Sequence, residues 1–171
     1  MMLEAQIALQ KSEKAIVFDT ETTGLTEPVE IVEAAWIAVG PPPEAPEIAA
    51  AAGRFRPSKP IELGALATHH IMDEDLIDEP PSSVFAIPPT DYLVGHNVDF
   101  DWKAAGQPAV RRIDTMAMAS ALWPELGRSS QGALLYFLER PGARERLRAA
   151  HGAAQDSRNC ALALRSIIAR L

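Results

Sequence analysis

The chain of 171 residues has a single cysteine, Cys160. Neither an internal disulfide nor a cysteine-rich zinc site can therefore hold it together. It has no run of about 18 apolar residues, which excludes a helix that crosses a bilayer. Repeats and low-complexity segments are missing too. Met1 to Lys14 lacks the basic start and long apolar stretch of a signal peptide, and Glu4 falls where such a peptide avoids acid. The expected compartment is the cytoplasm, with no membrane association. What is present is an ordinary globular balance: 47% hydrophobic and 23% charged residues, which excludes a disordered tail, a collagen-like fibre and a disulfide scaffold. The length fits one domain over 1–171, with 1–14 as an extension of no assigned role.

The net charge of −7 is unevenly spread: residues 1–100 carry −12 and residues 101–171 carry +5. An acidic whole argues against a protein that coats duplex nucleic acid. An acidic part facing a basic part suits a small anionic substrate held beside a metal site, although a plain solvated surface would give the same sums.

Ala15 to Glu21, Glu30 to Val39 and Ile48 to Phe55 read as strands, the first two rich in apolar residues. Short connections favour antiparallel neighbours among them. Ile61 to His70 reads as a helix, and Ile71 to Pro89 as a Pro- and acid-rich connector. Tyr92 to Val94 and Arg111 to Thr115 read as short strands. Helices are expected at Phe100 to Ala105, Thr115 to Trp123, Ser130 to Leu138 (ended before Pro141-Gly142) and Ala153 to Leu171. Three strands followed by alternating strands and helices give an α/β fold, a mixed sheet with helices packed on it.

Acids stand where a core should be. Asp19 and Glu21 close the first strand and share a face, roughly 6.5–7 Å apart along the chain. Two like charges at the rim of a buried element are costly unless a cation neutralises them, and hard oxygen ligands suit Mg²⁺ or Mn²⁺. A solvated strand end is the plainer alternative. In the last helix Cys160, Leu164, Ile167, Ile168 and Leu171 form an apolar stripe, and stepping back four residues from Cys160 lands on Asp156. An acid on the buried face points to a ligand, whereas its place in the first turn allows a structural cap. In Asp99-Phe100-Asp101 one acid can point inward and the other outward. His151, five residues before Asp156, is a general-base candidate because its pKa lies near neutrality.

These residues resemble a family. Val17-Phe18-Asp19-Thr20-Glu21-Thr22-Thr23-Gly24-Leu25 is similar to the first motif of the DEDDh-type 3′–5′ exonucleases, which include the proofreading epsilon-like proteins. His96-Asn97-Val98-Asp99-Phe100-Asp101 is similar to their second motif, HNxxFD. His151-Gly152-Ala153-Ala154-Gln155-Asp156 is similar to the third, HxAxxD. Ala67 to Ile71, Ile113 to Met116 and Leu122-Trp123-Pro124 extend the likeness, closest in pattern to the exonuclease X-like branch. The connector Asp73 to Thr90 is compressed relative to that pattern, and His70 and Met72 depart from it.

The resemblance implies a ribonuclease H-like fold: a mixed five-stranded sheet whose second strand is antiparallel, with helices on both faces. It implies two divalent metal ions, Mg²⁺ or Mn²⁺, held by Asp19, Glu21, Asp101 and Asp156. His151 is the implied base for the attacking water, and Asp99 a bystander. The implied reaction is hydrolysis of the terminal phosphodiester of single-stranded nucleic acid from its 3′ end, with DNA favoured and RNA trimming as the alternative. It leaves open a polymerase or repair complex as partner, as in proofreading or DNA repair, and a monomer or a homodimer.

Implied substrate contacts are Thr22, Thr23, Gly24 and Leu25 at the terminal nucleotide, and His69, His96 and Asn97 around it. Gly24 permits close approach and Leu25 offers an apolar surface to a base, unless Leu25 instead joins the core. Arg144 and Arg148, four apart on one helical face just ahead of His151, are candidates for upstream phosphates; Glu145 is the counter-charge that would make them merely a solvated surface.

Rival chemistries fit less well. Asp19-Thr20-Glu21 has Glu where the aspartyl-phosphate phosphatases have a second Asp. Ser129 and Ser130 lack a nucleophile-elbow glycine pattern. His69 and His70 are adjacent and point apart on a helix, which disfavours a zinc site.

Overall fold

A computed structural model describes residues 14–39, 51–148 and 152–170. Five strands, β1 (Ala15–Thr22), β2 (Ile31–Val39), β3 (Ala51–Arg54), β4 (Tyr92–Gly95) and β5 (Arg111–Asp114), form one sheet in the order β3-β2-β1-β4-β5. β2 runs antiparallel to both β1 and β3, whereas β4 and β5 run parallel to β1. This is the sheet implied by the three motifs, with only the second strand reversed.

Among the described residues six helices accompany it: α1 (Leu63–His69), α2 (Asp99–Ala104), α3 (Thr115–Leu122), α4 (Gln131–Leu138), α5 (Arg140–Leu147) and α6 (Ala153–Ile168). Local chemistry starts several of them. Asp114 caps α3 by accepting from the Met116 and Ala117 amides, and Ser130 caps α4 through the Ala133 amide. The connector after α1 holds two short 3₁₀ turns, Asp73–Leu76 and Ser82–Val84.

Strand alternation sorts the apolar residues to two faces. Ala15 and Val17 of β1 pack with Met118, Leu134, Cys160, Leu164 and Ile167 beneath α3, α4 and α6. Ile16 and Phe18 face the other way, onto Leu93 and Val98, with Phe55, Phe85 and Trp102 around them. Helices therefore cover both faces. A third cluster, Val32, Ile61, Ile71 and Leu76, ties the connector to β2.

Three expectations shift. β1 runs one residue further, to Thr22. The described third strand begins at Ala51, the earlier part of the expected strand lying outside the described residues. The segment Arg140–Leu147, given no bounds from sequence although Arg144 and Arg148 were placed on one helical face, is a helix. Pro141 sits in its first turn, where the missing amide hydrogen costs nothing, so Pro141-Gly142 opens α5 as well as ending α4.

Candidate active site

The C-terminal ends of β1 and β4 and the first turn of α6 meet at one end of the sheet, over its central strands. Asp19 and Glu21 continue the face of β1 that carries Ala15 and Val17, so both project toward α6. The α6 stripe brings Asp156 to meet them, and Asp19, Glu21 and Asp156 each place a carboxylate oxygen within 4.8 Å of the others. All three are half-buried. Burial, then Asp101, Asp156, Glu21 and Glu33 in that order, holds the Asp19 carboxyl well above the usual carboxylate range. Burial, then Asp156, Glu33 and Asp101, pushes Glu21 up to about 8. Repulsion of this kind is what a bound divalent cation removes, and an all-oxygen set of hard donors fits Mg²⁺ or Mn²⁺.

Asp101 stands beside this trio. It is buried in the first turn of α2, where its Oδ1 accepts from the Thr20 amide (2.9 Å) and the Thr20 hydroxyl (2.7 Å). Burial outweighs those bonds and pushes its carboxyl up to about 7. Asp99 points to solvent and pairs with Arg112 at 2.5 Å, and the Arg112 guanidinium lies over the Trp102 ring. One acid of that cluster does point inward and the other outward.

Next to the carboxylates lies a cleft of about 330 Å³, with Glu21, Leu25, Ala65, His69 and Phe100 in its wall. Its rim is the turn after β1. Thr23 is fully buried: its amide donates to the Glu30 carbonyl, and its hydroxyl accepts from the Glu30 amide. The Thr22 hydroxyl donates to the Gly24 carbonyl. Gly24 has φ +139°, and a Cβ there would lie 2.2 Å from Glu62 Cδ, so only glycine fits. Glu62 accepts from the Leu25 and Thr26 amides at 3.2 and 3.0 Å. A hydrogen bond from the Thr26 side chain, and then these amides, hold the Glu62 carboxyl below its ordinary range. Leu25 is 80% exposed, so it lies outside the core.

His69 is buried beneath this turn. Its Nδ1 accepts from the Ile71 amide, which leaves Nε2 to donate to the Thr22 carbonyl. Burial depresses its pKa, and the ring acts as a neutral strut between α1 and β1. His96 is likewise engaged on both ring nitrogens, with the Thr115 hydroxyl at 3.2 Å and the Ser129 carbonyl at 2.9 Å. Asn97 adopts φ +66°, a conformation that asparagine tolerates, and its amide donates to Asp114. Arg144 on α5 and Arg148 at its C-cap are exposed, and Arg148 pairs with Glu145 at 3.2 Å. His151, the base candidate, lies outside the described residues.

Sequence reasoning missed Glu33 and Glu62, both of which accept backbone amides at the site. It also missed the polar set behind Asp156: Asn159 Nδ2 donates to Asp156 Oδ1 (3.4 Å), and Gln131 Nε2 to the Asp156 carbonyl (3.2 Å). Asn159 is fully buried one residue before Cys160 of the apolar stripe, and a polar side chain so placed was the available signal.

No family model matches the sequence, and no curated protein does. Solved structures do. Exonuclease X in complex with 5′ overhanging duplex DNA is similar with a TM-score of 0.66 and 26% identity, over 91% of each chain. E. coli exonuclease I in complex with a dA16 oligonucleotide is similar with a TM-score of 0.63 and 18% identity, over 92% of this chain and 41% of that one. The second likeness is one of fold alone. Both neighbours are exonucleases by name; their likeness bears out the ribonuclease H-like fold that the motifs imply, and the likeness to exonuclease X supports a 3′–5′ exonuclease.

Proposed function

We propose that the chain is a metal-dependent 3′–5′ exonuclease that removes nucleoside 5′-monophosphates from single-stranded nucleic acid, with DNA favoured over RNA. The observation that carries this reading is the convergence of Asp19, Glu21 and Asp156 within 4.8 Å, beside a cleft of about 330 Å³ that Leu25 and Phe100 help to line. The likeness to exonuclease X, solved with DNA, supports it.

In this reading Asp19, Glu21 and Asp156, with Asp101 beside them, hold two divalent cations, Mg²⁺ or Mn²⁺. Such ions supply Lewis-acid stabilisation of the scissile phosphate and a more acidic water. The chain's own residues do the rest. Leu25 offers its exposed side chain to the last base, and the Thr22-Thr23-Gly24 turn seats the terminal sugar. His69 and His96 brace that turn and the β4 loop, and Asn97 sets the loop's direction. Arg144 and Arg148 hold phosphates upstream. His151 takes the proton of the attacking water, a task suited to a side chain that titrates near neutrality.

The test is degradation of end-labelled single-stranded DNA and RNA of matched sequence with Mg²⁺ or Mn²⁺. Mononucleotides should appear from the 3′ end and stop with EDTA or a blocked 3′ end. Activity that survives EDTA, or that first cuts within a 3′-blocked strand, contradicts the reading. Faster loss of the RNA assigns the enzyme to RNA 3′-end trimming.

A further inference from the structure

Glu33 sits inside a nearly continuous apolar strand, Ile-Val-Glu-Ala-Ala-Trp-Ile-Ala-Val. Register places it opposite Glu21 on β1 and opposite Arg54 on β3. Its carboxylate is divided between two partners. Oε1 accepts from Arg54 Nε at 3.1 Å, and Oε2 accepts from the Ala153 amide at 2.8 Å, across 120 residues of chain. Ala153 is the first residue of α6, and Asp156 follows three residues later in the same turn. An anion there also gains from the helix dipole. Two residues along β2 on the same face, the Ala35 carbonyl accepts from the buried Ser157 hydroxyl at 3.2 Å. The first turn of α6 is thus fastened to β2 on both sides of Asp156.

A further carboxylate beside three that already repel one another is costly, and Arg54 offsets only part of that. Its two hydrogen-bonding commitments explain its presence. We infer that Glu33 is a positioning residue, which fixes the start of α6 and thereby the reach of Asp156 toward Asp19 and Glu21, without itself holding the cation. This rests on reading those three acids as the metal site.

The experiment compares Glu33→Ala, Glu33→Gln and Glu33→Asp. Calorimetric titration of Mn²⁺ into the metal-free protein is read alongside kcat and KM on single-stranded DNA. Glu33→Ala should weaken Mn²⁺ binding and lower kcat by about 10–100-fold each, the usual cost of losing an outer partner of a ligand, with KM for the strand unchanged. Glu33→Gln retains an oxygen for the Ala153 amide and should stay near wild type. Glu33→Asp keeps the charge, but its shorter side chain withdraws that oxygen from Ala153; it should fall with Ala. It also serves as the informative variant should Ala fail to fold.

Wild-type Mn²⁺ affinity in Glu33→Ala or Glu33→Asp overturns the inference. So does a Gln variant as weak as Ala, since the charge itself would then be what matters. Because Mn²⁺ binding is read without substrate, a wild-type protein that binds Mn²⁺ yet spares nucleic acid would refute the exonuclease reading while leaving this inference testable. A wild type that binds no Mn²⁺ sinks both.

Discussion

Asp19 is the residue on which the site's electrostatics turn. It feels Asp101, Asp156, Glu21 and Glu33 together with its own burial, and its carboxyl is held well above the ordinary range. Glu21 is raised from 4.5 to about 8 for the same kinds of reason. A carboxyl raised in the folded state binds more protons folded than unfolded. Its favourable contribution is therefore complete below the unfolded pKa and is lost as pH climbs through the folded one. For Glu21 that window runs from about 4.5 to about 8. The metal-free protein should accordingly lose thermal stability between pH 5 and 8. Asp19→Asn should flatten that decline and raise the melting temperature at pH 8, while lowering kcat by at least about 10³-fold. A melting temperature of the wild type that rises over this range, measured by differential scanning calorimetry with EDTA, contradicts the arrangement.

At the scale of elements, legibility followed how local the signal was. β1, β4 and α6 were readable because short apolar runs and one helical stripe decide them. The acids at their ends were readable for the same reason, since Asp156 merely continues the stripe set by Cys160 and Leu164. The start of α5 was not readable, although a helical face for Arg144 and Arg148 was, because Pro141-Gly142 carries a stop signal for the helix before it and a start signal for the one after. Glu33 and Glu62 were invisible as site residues. Their partners, Ala153 and the Leu25–Thr26 amides, lie 120 and about 36 residues away, and no local pattern encodes such contacts. α5 also carries a prediction. The Arg148–Glu145 pair is exposed, so it is worth little and leaves the arginine able to exchange partners. If Arg144 and Arg148 each touch a phosphate, replacing both with alanine should flatten the slope of log K against log salt by roughly 1.4 on long single strands, at about 0.7 per contact. KM on dinucleotides should not change. Filter binding across a salt series reads the slope; an unchanged slope returns α5 to a solvated surface.

For the molecule as a whole, the acidic excess of residues 1–100 contains Asp19, Glu21 and Glu33, and a cation bound there stabilises only the folded chain. At a hundred times its dissociation constant, Mg²⁺ or Mn²⁺ should add about 2.7 kcal/mol, or about 5–10 °C of melting temperature in a domain of this size. Sodium at equal ionic strength should not match this. A thermal shift that is the same for Na⁺ and Mn²⁺ would place the effect in general charge screening. The Glu33–Ala153 bond has one more consequence, in the order of events during synthesis. The last acid of the trio and the amide that Glu33 accepts both belong to α6, whereas Asp19, Glu21 and Glu33 precede it by 120 residues or more. A chain grown from its N-terminal side therefore carries Asp19 and Glu21 for about 135 residues before the third carboxylate follows, and a contact this distant in sequence is among the slow ones to form. Until α6 docks the carboxylate trio is incomplete, so a chain that stops short of α6 should hold a divalent cation only weakly.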